Sequence, residues 1–188
     1  GTHTAHSMII AEALGVPLEW VKVEIVDTSA VPDSGETHAQ RGVIIGGTAA
    51  YEAAIKLKKR LIGLAADLLG CEPENIEFEN GYAYVKDNPN KRVSIKELAA
   101  ELYSRGENPA EYGFIKAKRG YPDPETGQGE PYEAYSFGCY IAEVEVDEET
   151  GIVKVTRVTP GVAAGKIINR ELAKGQIFGA AVLGLGFT

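Results

Sequence analysis

Residues 27–40 are a run of about fourteen positions crowded with Thr, Ser, Pro, Asp and Gly, and they lead straight into a helical pattern lasting to Leu69. A connection of that length with no structure of its own is uncommon in a compact domain and is usually functional. The pattern that follows has a one-sided apolar stripe, Ile55, Leu57, Leu61, Leu64, Ala65 and Leu68, with Gly70 as its stop. Its first turns are small instead: Gly42, Gly46, Gly47, Ala49 and Ala50. The chain must therefore cover one long helix on one side and hold a polar loop at that helix's start. Small side chains there allow a ligand, or another backbone, to come close.

The rest of the chain supplies the cover. Met8, Ile9, Ala13 and Leu14 have the spacing of a short first helix, ended by Gly15 with Pro17 beyond. Val21, Val23 and Ile25 alternate with Lys22 and Glu24, the pattern of a strand. Residues 76–78 and 82–85 flank Asn80-Gly81, which favours a tight type I′ hairpin. Ser94 and Glu97 make a capping box for a helix through Tyr103. Residues 106–129 read as loop around a short strand at 112–117. Ala142, Val144 and Val146 alternate with acidic residues, turn at 148–151 and return through Val153, Val155 and Val158 as a second hairpin. A last helix runs from about Glu171 through Gly175, Gly179, Ala180 and Ala181. No internal repeat is visible, and the class is α+β, with mixed sheets and hairpins packed with helices.

Composition removes several functions. The net charge of −8 argues against a nucleic-acid surface or an anionic membrane as partner. No apolar run approaches the ~18 residues of a membrane span, and no signal-peptide order opens the chain. Cys71 and Cys139 could form at most one disulfide and are too few for an iron–sulfur or structural zinc site. They read as buried, reduced thiols of a cytoplasmic protein. With no initial methionine and an end inside an apolar stretch, both termini read as cut, as in an expressed fragment or a processed subunit.

Three places could carry chemistry. Gly1-Thr2-His3-Thr4 stands at the mouth of a helix, where free N–H groups and the dipole suit a phosphate; the same residues could simply form a Thr-capped helix. Residues 32–42 are a polar turn entering the long helix, and the small residues after it serve either a ligand or tight helix packing. Gln176, in Gly175-Gln176-Ile177-Phe178-Gly179, could face a heterocycle's edge or stand on the solvent side of a helix. His3, His6 and His38 lack the carboxylate or cysteine that would complete a local zinc site, and read as solvated or supporting histidines. No nucleophile–base pair stands out. Glu143, Glu145, Asp147, Glu148 and Glu149 read as the wet face of the second hairpin.

Taken together, these residues resemble the C-terminal half of the molybdenum-binding subunit of the xanthine dehydrogenase/aldehyde oxidase (molybdenum hydroxylase) family. Gly1 to Thr4 match the end of its Gly-Gln-Gly-x-His-Thr turn. Asp27-Thr28 and residues 31–37 match its Asp-Thr…Val-Pro-Asp-Ser-Gly-x-Thr loop. Residues 135–138, 142–147 and 150–151 match its Tyr-Ser-Phe-Gly, Ala-Glu-Val-Glu-Val-Asp and Thr-Gly run. Ile168-Asn169, Gly175-Gln176 and Gly184-Leu185-Gly186 close the match in the family's order, so the likeness covers the whole chain.

The resemblance implies a partial molybdopterin-binding domain over 1–188: a helix–strand–loop–long-helix cofactor part (1–70), a hairpin, helix and loop (71–133), and a hairpin with a C-terminal helix (134–188). It implies an oxidoreductase that uses the molybdenum cofactor, with or without a dinucleotide extension, to oxidise a heterocycle or aldehyde with a water-derived oxygen. Carried over position by position, Gly1, Thr2, Thr37, His38, Ala39, Gln40 and Gly42 would line the cofactor, and Gln176 would approach the pterin edge. The partners implied are the remainder of the molybdenum subunit and iron–sulfur and flavin subunits or domains. The chain departs from the family pattern in places: His38 and Gln40 stand where a small residue or serine is usual, Ala163 replaces an Asp, and Arg170 replaces a Pro. The family's Phe-Gly-Gly region and substrate arginine lie upstream of these residues, and its base glutamate lies downstream. The chain alone is therefore expected to hold no catalytic residue, to retain no cofactor and to be inactive. A non-catalytic accessory protein that kept the fold is the alternative.

Overall fold

A computed structural model describes residues 1–24, 27–33, 35–38, 41–116, 120–130, 132 and 134–187. It has four α-helices and two small antiparallel sheets, an α+β chain as expected. Two compact units divide it, Gly1–Lys116 and Ala117–Thr188.

In the first unit, α1 (Thr2–Leu14) packs on the long helical segment, which is a π-helical turn (Gly42–Gly47) continued by α2 (Thr48–Leu69). The stripe of α2 buries Leu61, Leu64, Ala65 and Ala66 against a three-stranded sheet and α3 (Ile95–Ser104). The sheet contributes Ile76, Phe78 and Ala83, and α3 contributes Leu98 and Leu102. Two residues of the expected stripe, Ile55 and Leu68, are exposed. The nearby alanines Ala54 and Ala66 are buried instead, Ala66 within the core cluster.

The sheet runs in the order β1 (Ile76–Glu79), β2 (Tyr82–Val85), β3 (Asn88–Ser94). Asn80 and Gly81 both have positive φ, 51° and 77°, as a type I′ turn requires. Gly81 also needs to lack a side chain, because a Cβ there would come within 2.5 Å of the Trp20 ring. At the end of β3, Ser94 Oγ accepts from the Glu97 N–H at 3.2 Å and Glu97 Oε2 accepts from the Ser94 N–H at 2.8 Å. The capping box holds Glu97 below the usual carboxylate range, first through the Ser94 hydroxyl and then through the Ser94 N–H.

Two expected strands do not form. Residues 21–24 alternate but have no ladder, and Ile25 lies outside the described residues. Extended conformation is present at Val21, with φ −100° and ψ 115°, yet no neighbouring strand supplies the hydrogen bonds. Residues 112–116 are likewise not a strand, and Ala117 lies outside the described residues. Side chains of α2 hold this segment instead. Arg60 reaches Glu111 at 2.7 Å, Glu107 at 3.1 Å and the Asn108 carbonyl at 3.1 Å, while Lys56 donates to the Tyr112 carbonyl at 3.1 Å. The two carboxylates, Glu111 first, push the Arg60 guanidinium further up. The strap lies so close to α2 that a Cβ on Gly113 would meet the Ala49 carbonyl at 1.8 Å.

The second unit is a hairpin and a helix. β4 (Phe137–Val146) pairs with β5 (Val153–Ala163), from Phe137↔Ala163 to Val146↔Val153, with a bulge at Glu143/Val144. The turn is built by Asp147, whose carboxylate accepts from Glu149 N–H at 2.9 Å and Thr150 N–H at 3.2 Å. α4 (Arg170–Leu185) is capped by Asn169, which accepts from the Leu172 N–H at 3.0 Å. Tyr140 donates to the Ile177 carbonyl at 3.2 Å. No described residue of this unit is buried, and on the Val/Ile face of the hairpin only Val155 and Val158 reach half-burial. Both cysteines are free thiols, but the expectation that they are buried needs correction: Cys71 is half-buried against the core of the first unit, and Cys139 is exposed on the uncovered β4.

Candidate cofactor-binding site

The start of α1 carries no side-chain cap; its N-cap is Gly1. Neither Thr2 nor Thr4 caps this helix through its side chain; Thr2 is half-buried, whereas His3 and Thr4 are exposed.

The polar loop is folded by its own side chains. Asp27 accepts from the Ser29 hydroxyl at 2.6 Å and N–H at 2.9 Å, bonds that hold its carboxyl below the usual range, the hydroxyl contributing most. Asp33 accepts from the Gly35 N–H at 2.7 Å. Arg41 folds back to donate to the Glu36 carbonyl at 3.0 Å, and its own N–H donates to the His38 carbonyl at 3.1 Å. His38 is exposed, 3.9 Å from the Glu36 carboxylate.

Arg41 is already helical, and Gly42 is the first residue of the π turn that continues from it. A Cβ built on Gly42 would stand 3.9 Å from Thr2 Cγ2 and Oγ1 and 3.9 Å from Thr37 Cγ2. Two threonines from separate segments thus flank a glycine in the first described turns of the long helix. Donor N–H groups, aligned peptide dipoles and hydroxyls are what a phosphate-bearing ligand takes from a protein. The room beside Gly42 and the Thr2 hydroxyl next to it are compatible with such a group.

Gly42 and its two companions differ. A Cβ on Gly46 would be 3.1 Å from His6 Cε1, and one on Gly47 would be 2.9 Å from Ile9 Cδ1. Gly46 and Gly47 are therefore filled by α1, so tight packing explains them. Gly42 is open to a ligand.

Four of the sequence-derived residues, Gly1, Thr2, Thr37 and Gly42, come together in this way. His38 lies beside them in the chain, pointing to Glu36. Ala39 and Gln40 lie outside the described residues. Gln176 belongs to the second unit, exposed on α4. Among the described residues no group of three His, Cys, Asp or Glu could hold a metal ion. The sequence leaves His6 either solvated or supporting. It is only 9% exposed, and its Nε2 lies 2.8 Å from the Gly42 carbonyl, so it supports. Nothing in the local sequence joins His6 to Gly42, 36 positions away.

The whole chain, residues 1–188, matches the family model of the molybdopterin cofactor-binding domain. The chain belongs to that family. Among its relatives, it is 34% identical over 194 residues to a probable xanthine dehydrogenase subunit of Bacillus subtilis, covering 100% of this chain and 24% of the relative. It is 30% identical over 187 residues to the nicotine 6-hydroxylase large subunit of Paenarthrobacter nicotinovorans, covering 99% and 22%. The fold is similar to that of reconstituted CO dehydrogenase from Oligotropha carboxidovorans, with a TM-score of 0.77, 27% identity, and coverage of 94% of this chain and 21% of that one. The chain thus spans less than a quarter of the length of each.

Proposed function

We propose that this chain is the part of a molybdenum hydroxylase that binds the phosphate and pterin portions of the molybdenum cofactor. The approach of Thr2 and Thr37 to the open Gly42, in a chain whose whole length matches the molybdopterin cofactor-binding domain, supports the reading. Gly1, Thr2, Thr37, His38, Ala39, Gln40 and Gly42 bind and orient the cofactor, and Gln176 offers its amide to the pterin edge. When bound, the molybdenum centre supplies the oxidation of an electron-poor carbon of a heterocycle or aldehyde by a water-derived oxygen. The chain's own residues hold the cofactor still and keep its anionic groups paired with N–H and O–H donors. They offer no general base of their own, a loss that typically costs ~100-fold or more, so turnover requires the remainder of the subunit. Iron–sulfur and flavin subunits or domains take the electrons. The cytoplasm is the compartment in which Cys71 and Cys139, both free thiols, stay reduced. No described helix is long and apolar enough to cross a membrane.

The test is the double substitution Thr2→Val and Thr37→Val in the whole enzyme, which removes two hydroxyls while keeping side-chain bulk. A hydrogen bond to a charged group contributes about 1.5–3 kcal/mol, so cofactor affinity should fall about tenfold or more. Molybdenum per protein after gel filtration reads the loss. Undiminished molybdenum in the double variant contradicts the proposal.

A further inference from the structure

We infer that His6 is a positioning residue for the cofactor loop: it locks the first π-helical peptide of the long helix against α1, and so holds Gly42 in its place between Thr2 and Thr37. The inference rests on the cofactor reading of Gly42. A carbonyl oxygen can only accept, so His6 Nε2 carries the proton of the 2.8 Å bond to Gly42 O. The ring is nearly buried, and it has its space because Gly46 lacks a side chain: a Cβ there would lie 3.1 Å from its Cε1.

A π turn is rare, and single π turns inside helices occur mainly at functional sites, because their looser ladder is unfavourable unless something outside it holds the backbone. Here α-helical spacing returns by Thr48, whose N–H is shared between the Ile44 and Ile45 carbonyls. The departure is confined to residues 42–47, of which Gly42, Gly46 and Gly47 lie against His6. Thr2, four residues before His6 on the same helix, flanks the same glycine. One helix thus supplies both a residue beside the ligand position and the lock behind it.

The test compares His6→Leu with His6→Gln, whose amide nitrogen can reach the position of Nε2. In the purified chain, backbone hydrogen exchange at 42–47 should rise about tenfold in His6→Leu and return toward the parent level in His6→Gln, with 61–66 unchanged in both. In the whole enzyme, molybdenum content should follow the same order. Unchanged exchange in His6→Leu overturns the lock whatever the molybdenum content. Faster exchange with full molybdenum content overturns the positioning role, and the threonine pair remains judged by its own double variant. If His6→Leu loosens 61–66 as well, His6→Asn decides, since its amide is one methylene shorter. Protection in Gln but not in Asn supports the lock, and equal protection in the two overturns it.

Discussion

The two units reach order by different routes. The first buries Leu61, Leu64, Ala65, Ala66, Ile76, Phe78, Ala83, Leu98 and Leu102 in one cluster. The second has a long, regular hairpin and a capped helix, yet none of its described residues is buried. Ladder hydrogen bonds, the Asp147 turn and the Asn169 cap are sufficient to specify its local shape. Hydrogen bonds are worth little net in water, so such a unit draws its stability from whatever covers Ile141, Val144, Phe178 and Val182.

Matched truncations put the contrast at risk. Leu98 is fully buried, so Leu98→Ala should cost the first unit about 3 kcal/mol in denaturant unfolding. Val144→Ala, on the exposed hairpin, should change the stability of the same chain by less than about 0.5 kcal/mol. Equal losses at the two positions would mean that the hairpin has a core of its own.

A smaller effect separates local from packed stabilisation within the first unit. Ser94→Ala removes the cap of α3 and should cost about 1 kcal/mol. Glu97 sharpens this through pH. Its folded-state pKa is depressed, so its contribution is present above the unfolded pKa and disappears as pH falls through the folded one. The difference in stability between parent and Ser94→Ala should therefore narrow on acidification. A gap that stays constant down through the folded pKa of Glu97 would rule out the reciprocal box.

What could be read from the sequence was whatever neighbouring residues decide. Asn80-Gly81, Ser94 with Glu97, Gly70 after α2 and the turn at 148–151 each specify their backbone locally, and each forms as expected. β3 is not legible there because Asn88-Pro89-Asn90-Lys91-Arg92 has no apolar alternation; its strand character comes from pairing with β2. Residues 21–24 show the converse, alternation without a partner. At the site, the polar loop and the long helix after it were legible, and Thr2, Thr37 and Gly42, chosen from the family resemblance, lie together. The π turn was not, since no local pattern marks it. Nor could the sequence tell Gly42, open to a ligand, from Gly46 and Gly47, which lie against α1.

That last distinction gives the most direct measurement of the cofactor reading. The protein itself leaves room at Gly42, with its nearest neighbours at 3.9 Å, so Gly42→Val should leave the thermal unfolding of the chain within a few degrees of the parent. In the whole enzyme the branched side chain occupies the space between Thr2 and Thr37 that the account assigns to the cofactor. Molybdenum content measured by elemental analysis should then fall at least tenfold while the fold is retained. Full molybdenum occupancy in a folded Gly42→Val enzyme would contradict a cofactor site at this helix start.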